Sequence, residues 1–387
     1  MPEPVGYGVI GAGARADCLA GYLAKRKGEV FLRAVCEPDN AVRRQFLDRH
    51  SQGRTVCCDD YRQLAADPQV KWVLVTSPNS RHKEHIIAAF QAGKCVFAEK
   101  PLATSIADCV EINTAHAASG GLLFATGFVL RYAPLYVKVK ELLAAGAIGE
   151  IVAVQADENI TAAHGGHIMT CWRRFSRFSG SHMLEKCCHD MDLLNWLVGS
   201  LPNKAASFGG RSIFTPANAA LMDKFAPPAG RASIYMEWHD PQTHDADNPF
   251  TSDKDVVDNQ VAILQYRNGV TAMFQTVMSC AIPERRMYFA GTEGTLIAEL
   301  YAGRLEVKRL GYDTPSETYD FTGSMHGGGD RRIADELAES MTTGASPACS
   351  GEEGLTSAVV SLGIEQARLE GRIVDLEPTW KQFGVGG

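Results

Sequence analysis

The short segment Glu99-Lys100-Pro101 has residue types that suit a reaction in which an oxygen gains negative charge. It directly follows the apolar run Cys95–Ala98, which predicts a buried strand. In an open parallel sheet, ligands bind beyond the carboxyl ends of the strands. The Lys100 ammonium would there donate to a developing alkoxide, on a backbone that Pro101 restricts. The alternative interpretation is an ordinary exposed ion pair at a strand end.

A second group of candidate catalytic residues is Glu185, His189 and Asp192, which are spaced by four and three. If one helix extends back to Glu185, the three side chains share one stripe of that helix. A carboxylate one turn from a histidine can orient the imidazole and raise its basicity, which proton transfer requires. The alternative is that these residues cap or cover a helix whose other faces are buried.

The same segment invites a metal interpretation, because Cys187 and Cys188 stand next to His189. No second group of cysteines or histidines follows at the spacing of a zinc site, so the sequence analysis predicts no metal. His164 and His167 lie in a glycine-containing segment and are interpreted as loop residues, with a substrate contact as the alternative.

These residues need a scaffold, and its clearest sequence signal is near the N-terminus. A β-rich run over residues 5–10 leads into a glycine-x-glycine-x-x-alanine pattern over residues 11–16 and then into a predicted helix. The first glycine makes a tight turn, the second lets backbone amides approach a pyrophosphate, and the helix N-terminus binds the anion. The predicted cofactor-binding residues of this turn are Gly11, Gly13, Ala14 and Arg15.

The nucleotide preference is predicted from Glu37, which ends the second predicted strand, Phe31 to Cys36. It follows the glycine turn by about 20 residues, where an acidic side chain accepts hydrogen bonds from ribose hydroxyls. A carboxylate there would repel a 2′-phosphate. The sequence therefore favours NAD, with NADP as the less favoured cofactor.

Short apolar runs continue to alternate with helical patterns as far as residue 126, which predicts a doubly wound parallel sheet. Ser77, Pro78 and Asn79 follow the fourth strand and would border the cofactor, although Asn79 would also serve as a helix cap. After residue 128 predicted strands predominate, one of them over residues 232–238, which predicts an α+β domain with a large, mostly antiparallel open sheet. We therefore expect a Rossmann domain at 1–128 and a substrate-binding and oligomerisation domain at 129–387.

Composition narrows the function classes. Apolar content of 45% and charged content of 21% are typical of a globular protein. A formal net charge of -7 argues against a nucleic-acid or anionic-membrane partner. The N-terminus shows no export signal and the eleven cysteines are scattered, so a reduced, cytoplasmic protein is expected. An open sheet face would need cover, which predicts a homodimer or homotetramer.

Over nearly its whole length the chain resembles the glucose-fructose oxidoreductase and inositol dehydrogenase family. The matching segments include residues 11–16, 77–82, 92–101, 131–134, 146–151, 189–199 and 291–295. The resemblance implies that Lys100 hydrogen-bonds the reacting hydroxyl, that Glu185 and His189 are the other catalytic pair, and that Pro101 is in cis. Glu185 departs from the family pattern, in which an aspartate is usual.

The resemblance also implies wider roles. It places His82 and Glu99, together with Lys100, among the residues that border the cofactor. The pocket wall would include Tyr132, Trp172 and Arg173, because aromatic faces and a guanidinium suit a hydroxylated ring. His326 and Asp330, which flank a glycine triplet, would close the site from the C-terminal side. The predicted substrate-binding residues are Lys100, Tyr132, Trp172, Arg173, Glu185, His189 and His326.

The function expected on these grounds is that of an NAD-dependent dehydrogenase. It would transfer a hydride between nicotinamide and a secondary hydroxyl of a sugar, a sugar derivative or a cyclitol. One alternative is an NAD-dependent glycoside hydrolase or lyase that oxidises its substrate only transiently, because the same residues would serve it. The other is a sugar or dinucleotide sensor without chemistry.

Overall fold

The computed structural model describes residues 3–51, 53, 55–225, 231–240, 244–321 and 326–385. The strands are β1 (Val5–Ile10), β2 (Val30–Cys36), β3 (Val56–Cys58), β4 (Val70–Val75), β5 (Cys95–Ala98), β6 (Phe124–Thr126), β7 (Ile151–Thr161), β8 (Pro202–Gly210), β9 (Asn259–Tyr266), β10 (Thr271–Cys280), β11 (Glu284–Gly291), β12 (Gly294–Glu299), β13 (Arg304–Arg309), β14 (Glu317–Asp320) and β15 (Val374–Asp375). The helices are α1 (Ala14–Leu23), α2 (Asn40–His50), α3 (Tyr61–Ala66), α4 (His82–Gln91), α5 (Ile106–Ala117), α6 (Pro134–Ala144), α7 (Ala162–Thr170), α8 (Ser176–Ser179), α9 (His182–Glu185), α10 (Cys188–Val198), α11 (Leu221–Lys224), α12 (Gly329–Thr343), α13 (Gly351–Glu370) and α14 (Glu377–Gln382).

The chain forms two compact units. The first consists of Met1–Ala133 and Gly328–Ala358, and the second of Pro134–Gly327 and Val359–Gly387. The segment 328–358, which the sequence analysis placed in the second domain, thus belongs to the first unit. It contains α12, whose amphipathic pattern buries Ile333 and Leu337. Amphipathicity shows that a helix must pack but does not say against which sheet, so the sequence could not make this assignment.

The first unit contains a six-stranded sheet in the order β3-β2-β1-β4-β5-β6. Every neighbouring pair is parallel. Strands β1, β4 and β5 are almost entirely buried, as expected for a parallel sheet with both faces covered. This arrangement confirms the predicted doubly wound fold, and it brings the carboxyl ends of β1, β2, β4 and β5 to one edge of the sheet.

Helix α2 was not predicted from the sequence. It is strongly polar and buries only Phe46, so its apolar stripe is too weak to detect. Its N-terminus is nevertheless capped by Asp39, whose side chain accepts hydrogen bonds from the backbone of Ala41 and Val42. Local capping and a single buried aromatic side chain are enough to place this helix between β2 and β3.

The second unit contains a nine-stranded sheet in the order β14-β13-β12-β11-β7-β10-β9-β8-β15. Its neighbouring strands are antiparallel except for the pair β7 and β10, which is parallel. The mostly antiparallel sheet confirms the predicted architecture. On β9, burial alternates strictly along the strand, so Leu264 faces the core whereas Ile263 faces outward.

One predicted strand is wrong. Residues 232–238 have the apolar content of a strand, but the structure gives them turns instead. Tyr235 is buried there against Phe214 and Phe250, with ring centroids 5.9 and 4.9 Å away. The apolar side chains of this segment are therefore buried in a local cluster of aromatic rings and not, as the sequence pattern had predicted, on a sheet.

No helix in the described residues is long and apolar enough to cross a bilayer. All eleven cysteines lie in the described part of the chain, and none of them is joined there in a disulfide.

Candidate functional site

The glycine turn after β1 has the geometry that its motif predicts. Gly11 has a φ of +89°, and a Cβ placed on it would lie 2.6 Å from the Cα of Ser77. A side chain at Gly11 is therefore excluded by both conformation and space. A Cβ on Gly13 would instead meet no atom within 4 Å. Gly13 is also the N-cap of α1 and provides no side-chain capping bond, so the first amides of α1 have open space in which an anion can bind.

Glu37 lies against this turn. Its Oε2 accepts a hydrogen bond from the backbone amide of Ala12 at 2.9 Å, and its Oε1 accepts one from the amide of Asp39 at 2.9 Å. Each carboxylate oxygen has a further lone pair that can accept from a ligand hydroxyl. The end of β2 thus presents a carboxylate whose direction is set by two backbone contacts.

The segment after β4 is held by histidines. Ser77 Oγ lies 2.9 Å from Nδ1 of His85. The buried ring of His82 lies 2.6 Å from the carbonyl oxygen of Ser77 and 2.7 Å from that of Pro101. Burial lowers the pKa of His82, and the two carbonyls only partly oppose this shift. The His82 ring therefore joins the loops that follow β4 and β5.

Pro78 and Asn79 continue the same loop. The carbonyl of Pro78 accepts a hydrogen bond from the amide of Arg81 at 2.8 Å, which forms one turn of 3₁₀ helix that begins at Asn79. Asn79 is buried. The loop that was predicted to border the cofactor is therefore short and internally bonded.

The segment Glu99-Lys100-Pro101 follows β5 and contains a cis Lys100–Pro101 peptide bond, as the resemblance implied. The Glu99 carboxylate is buried and accepts hydrogen bonds from Arg15 Nε at 2.5 Å and from the Lys100 amide at 3.3 Å. The Arg15 guanidinium also pairs with Asp330 at the start of α12. Charge pairing therefore positions the backbone that carries Lys100 and directs Arg15 to protein carboxylates.

Tyr132 was predicted to form part of a pocket wall. Its hydroxyl donates a hydrogen bond to Oε1 of Glu336 on α12 at 2.7 Å. Burial raises the pKa of Tyr132, and the negative charge of Glu336 acts in the same direction. Neighbouring Arg131 contacts Glu353 at 2.5 Å. Within the first unit, the structure thus places Tyr132 in a buried, hydrogen-bonded contact with the C-terminal segment.

In the second unit, Glu185 and His189 lie on two separate helices. Helix α9 ends at Glu185 and α10 begins at Cys188, so the condition for one shared helical stripe, a single continuous helix, is not met. Both side chains are nevertheless buried, with 8% and 4% of their surface exposed. The break allows the two residues to take directions that a straight helix would not give them.

Three predicted substrate residues lie together beside α9. Arg173 Nε donates to Oε1 of Glu185 at 2.8 Å, and its guanidinium lies 4.5 Å from the ring centroid of Trp172. His189 has His326 as an aromatic neighbour, with ring centroids 6.2 Å apart. The second unit therefore contains an Arg173–Glu185 ion pair with an aromatic wall, and a pair of histidines.

The position of α10 depends on a buried charge network that the sequence analysis did not predict. Arg285 forms two hydrogen bonds to Asp190, at 2.8 and 2.7 Å, and an ion pair with Glu158 at 3.0 Å. Lys186 also contacts Glu158, at 3.0 Å. Burial would raise the pKa of Glu158, but the charges of Arg285 and Lys186 outweigh it and lower that pKa. The network holds the residues on either side of His189. Its members are far apart in the sequence, so no local pattern of residues could have predicted it.

Comparison with known proteins identifies the two parts of the chain. Residues 5–128 match the model of the oxidoreductase family NAD-binding Rossmann fold, and residues 140–376 match the model of the C-terminal alpha/beta domain of the same family.

Individual relatives agree with this match. The chain is 24% identical over 308 residues to a putative oxidoreductase, YteT, of Bacillus subtilis, which covers 68% of this chain and 71% of the relative. It is 29% identical over 218 residues to an inositol 2-dehydrogenase/D-chiro-inositol 3-dehydrogenase of Lactiplantibacillus plantarum, which covers 56% of this chain and only 59% of the relative. Among solved structures, a levoglucosan dehydrogenase in complex with NADH and levoglucosan has the same fold, with a TM-score of 0.78, 18% identity, and coverage of 97% of this chain and all of that one. The chain therefore belongs to the GFO/IDH/MocA family of oxidoreductases.

Proposed function

We propose that this protein is an NAD-dependent dehydrogenase that oxidises a secondary hydroxyl of a sugar, a sugar derivative or a cyclitol, or catalyses the reverse reduction. The observation that carries the proposal is the edge of the first sheet, where the glycine turn, Glu37 and Lys100 follow β1, β2 and β5. Ligands of such sheets bind beyond the carboxyl ends of the strands. The open space over Gly13 suits a pyrophosphate at the N-terminus of α1.

We propose NAD as the preferred cofactor because of Glu37. Its carboxylate is fixed by the amides of Ala12 and Asp39, and it would accept hydrogen bonds from the adenosine ribose hydroxyls. A 2′-phosphate at that position would bring a second negative charge against the carboxylate. Arg15 is paired with the carboxylates of both Glu99 and Asp330, so its charge is already neutralised and does not offset that repulsion.

In the proposed mechanism, side chains of the protein remove the proton of the substrate hydroxyl and stabilise the oxygen that it leaves. His189 would take the proton as general base, and Lys100 would stabilise the developing alkoxide. Glu185, held by Arg173, would orient the substrate by accepting from a neighbouring hydroxyl. NAD, when bound, would supply the hydride acceptor for the carbon that bears this hydroxyl.

The substrate class is supported by two observations. The Lactiplantibacillus plantarum relative is named for the oxidation of inositols. In this chain, the Trp172 face and the Arg173–Glu185 pair combine an apolar surface with donors and acceptors. That combination suits a ring with several hydroxyl groups.

The test is to follow NADH absorbance while purified protein and NAD are incubated with a panel of sugars, sugar acids and inositols. We expect a sustained rise with at least one polyol. If calorimetry shows NAD binding but no polyol produces NADH, the dehydrogenase proposal fails. Glycosides would then be tested for cleavage without net NADH, the behaviour expected of a cofactor-recycling hydrolase.

We further propose that a second copy of the chain covers the outer face of the second sheet. Phe208, Ile263 and Met273 are 75%, 58% and 48% exposed on three neighbouring strands. The register pairs Met273 with Ile263, so these side chains share one face. Such a contiguous apolar patch is typical of an interface.

Sedimentation velocity would test this assembly. We expect Ile263→Lys to convert a dimer or tetramer into smaller species. Ile282→Lys is the matched control, because Ile282 is 84% exposed but lies in the turn between β10 and β11, outside the patch. A monomeric parent protein, or an Ile263→Lys variant that assembles like the parent, would contradict the proposal.

A further inference from the structure

A cluster of metal-ligating atoms lies in the second unit, on residues that the proposed mechanism does not use. Nδ1 or Nε2 of His167 and His244 and Sγ of Cys171 all lie within 4.8 Å of one another. His167 is on α7, which corrects its interpretation as a loop residue, and Cys171 is the C-cap of that helix. The four-residue spacing puts both side chains on one face of the helix end.

His244 reaches the cluster from a distant part of the chain. Its backbone forms an antiparallel bridge with Cys171, which fixes it directly opposite the cysteine. Its Nε2 lies 2.7 Å from Nδ1 of His167. Two nitrogens bound to one tetrahedral zinc ion at about 2.0 Å are about 3.3 Å apart, so a small separation of the rings would admit an ion.

The outer nitrogens of both rings have backbone partners. Nδ1 of His244 lies 2.8 Å from the carbonyl oxygen of Asp240 and 3.0 Å from its amide nitrogen. The His167 ring forms a hydrogen bond with the backbone of Trp238. Metal-binding histidines usually donate their second ring N–H to a carbonyl or carboxylate, which points the first nitrogen at the ion. Both rings are therefore directed toward each other and toward the cysteine.

A further imidazole lies beside His244, next to the group of three ligand atoms. His239 has a ring centroid 4.9 Å from that of His244. Its Nε2 is buried and has no hydrogen-bond partner within the described residues. A buried imidazole nitrogen without a partner is costly in an apolar setting, and an ion would satisfy it.

We propose that His167, Cys171 and His244, with His239 as the fourth ligand, bind a transition-metal ion of the zinc class. Two or three imidazoles with one thiolate are a ligand set that zinc prefers, and tetrahedral coordination requires four donors. The sequence predicted no metal because no second group of cysteines or histidines stands at the spacing of a zinc site. The ligands found here are scattered, and only the fold brings them together.

The ion would attach the segment that carries His239 and His244 to the end of α7. Next to that end, Arg173 contacts both Cys171 Sγ, at 3.9 Å, and Glu185. The site would thus support the Arg173–Glu185 pair from behind. This role concerns positioning, and the reacting hydroxyl needs no contact with the metal.

The test uses the full chain, treated with a chelator and then titrated with Zn²⁺ or Co²⁺ alone. We expect one equivalent of metal per chain by mass spectrometry. The Co²⁺ form should show a thiolate-to-metal charge-transfer band and the intense visible bands of tetrahedral cobalt. The band should vanish in Cys171→Ser and persist in the control Cys280→Ser, whose thiol lies on β10.

His167→Gln and His244→Gln keep the thiol and test the nitrogens separately. Each should weaken zinc binding by more than the roughly 10- to 100-fold that loss of an outer-shell partner causes. Circular dichroism of the chelator-treated variants checks that each still folds. If Cys171→Ser does not fold, the zinc affinities of the two histidine variants test the proposal. Less than one equivalent bound by the parent, or a charge-transfer band that survives in Cys171→Ser, would overturn the proposal.

Discussion

The two units of this protein position their functional residues in different ways. In the first unit, the candidate residues follow the ends of parallel strands, and backbone geometry sets their places. Gly11 makes the turn, the amide of Ala12 holds Glu37, and a cis peptide bond follows Lys100. In the second unit, Glu185 and His189 lie on two short helical segments, and the buried charges around Arg285 hold the residues beside them.

The two units should therefore be sensitive to different kinds of substitution. A site built on strand ends depends on a few residues with special backbone requirements, and most other changes leave it intact. A site held by a buried ion network depends on charge balance, because removing one partner leaves the others buried and uncompensated. The same type of substitution, made once in each unit, therefore tests whether the two units differ in this way.

The largest expected effect on the reaction rate belongs to the first unit. Lys100→Met should lower turnover by about 10²- to 10³-fold, the loss typical of removing a donor to a developing oxyanion. NAD binding should change little, since the glycine turn and Glu37 are untouched. Steady-state kinetics and calorimetry measure the two quantities. Lys71→Met, an exposed lysine on β4, is the control. Near-normal activity of Lys100→Met would remove Lys100 from the mechanism.

The next prediction concerns the free energy of unfolding. Loss of a paired arginine should lower it more in the second unit than in the first. Arg285→Met should reduce the free energy of unfolding by about 3–5 kcal/mol, because Glu158 and Asp190 would remain buried without their shared partner. Arg15→Met breaks a comparable pair of contacts, but the Arg15 side chain is 24% exposed against 1% for Arg285. Water can then reach the Arg15 site, so its loss should cost less. Urea unfolding of both variants provides the comparison, and equal losses would refute it.

Within the first unit, two glycines separate stability from binding. Gly11→Ala should destabilise the protein by about 1–3 kcal/mol, because its φ is positive and its Cβ would strike the backbone of Ser77. Gly13→Ala should leave the melting temperature almost unchanged, since its Cβ enters open space, but should weaken NAD binding. Thermal melts and NAD titrations distinguish the two variants. Unchanged NAD binding by Gly13→Ala would show that the space over Gly13 is not a ligand site, and an equal loss of stability in both variants would show that the Gly13 Cβ does not enter open space.

The smallest effect should be on cofactor choice. Glu37→Ser should raise the ratio of NADP to NAD use by about tenfold, equivalent to about 1.4 kcal/mol, because it removes the charge that opposes a 2′-phosphate. Asp39→Asn is the matched control, since it removes a neighbouring negative charge but keeps a side chain able to cap α2. An unchanged ratio in Glu37→Ser would show that Glu37 does not contact the ribose.

Much of the first unit could be predicted from the sequence. The glycine pattern, the acidic residue after the second strand and the Glu99-Lys100-Pro101 segment are each encoded over a few residues, and alternating strands and helices gave the sheet type. Such signals survive in a linear sequence because the physical requirement is local. A tight turn needs glycine, and a helix N-terminus needs no distant partner to bind an anion.

The surroundings of the candidate residues in the second unit could not be predicted from the sequence. The break between α9 and α10, the network of Glu158, Asp190 and Arg285, and the facing side chains of Cys171 and His244 join residues far apart in the chain. A buried charge or an imidazole is meaningful only with its partner, and the sheet register sets that partner. The sequence determined which residues could do chemistry, whereas long-range packing determined which of them meet, because burial makes each polar group depend on its neighbours.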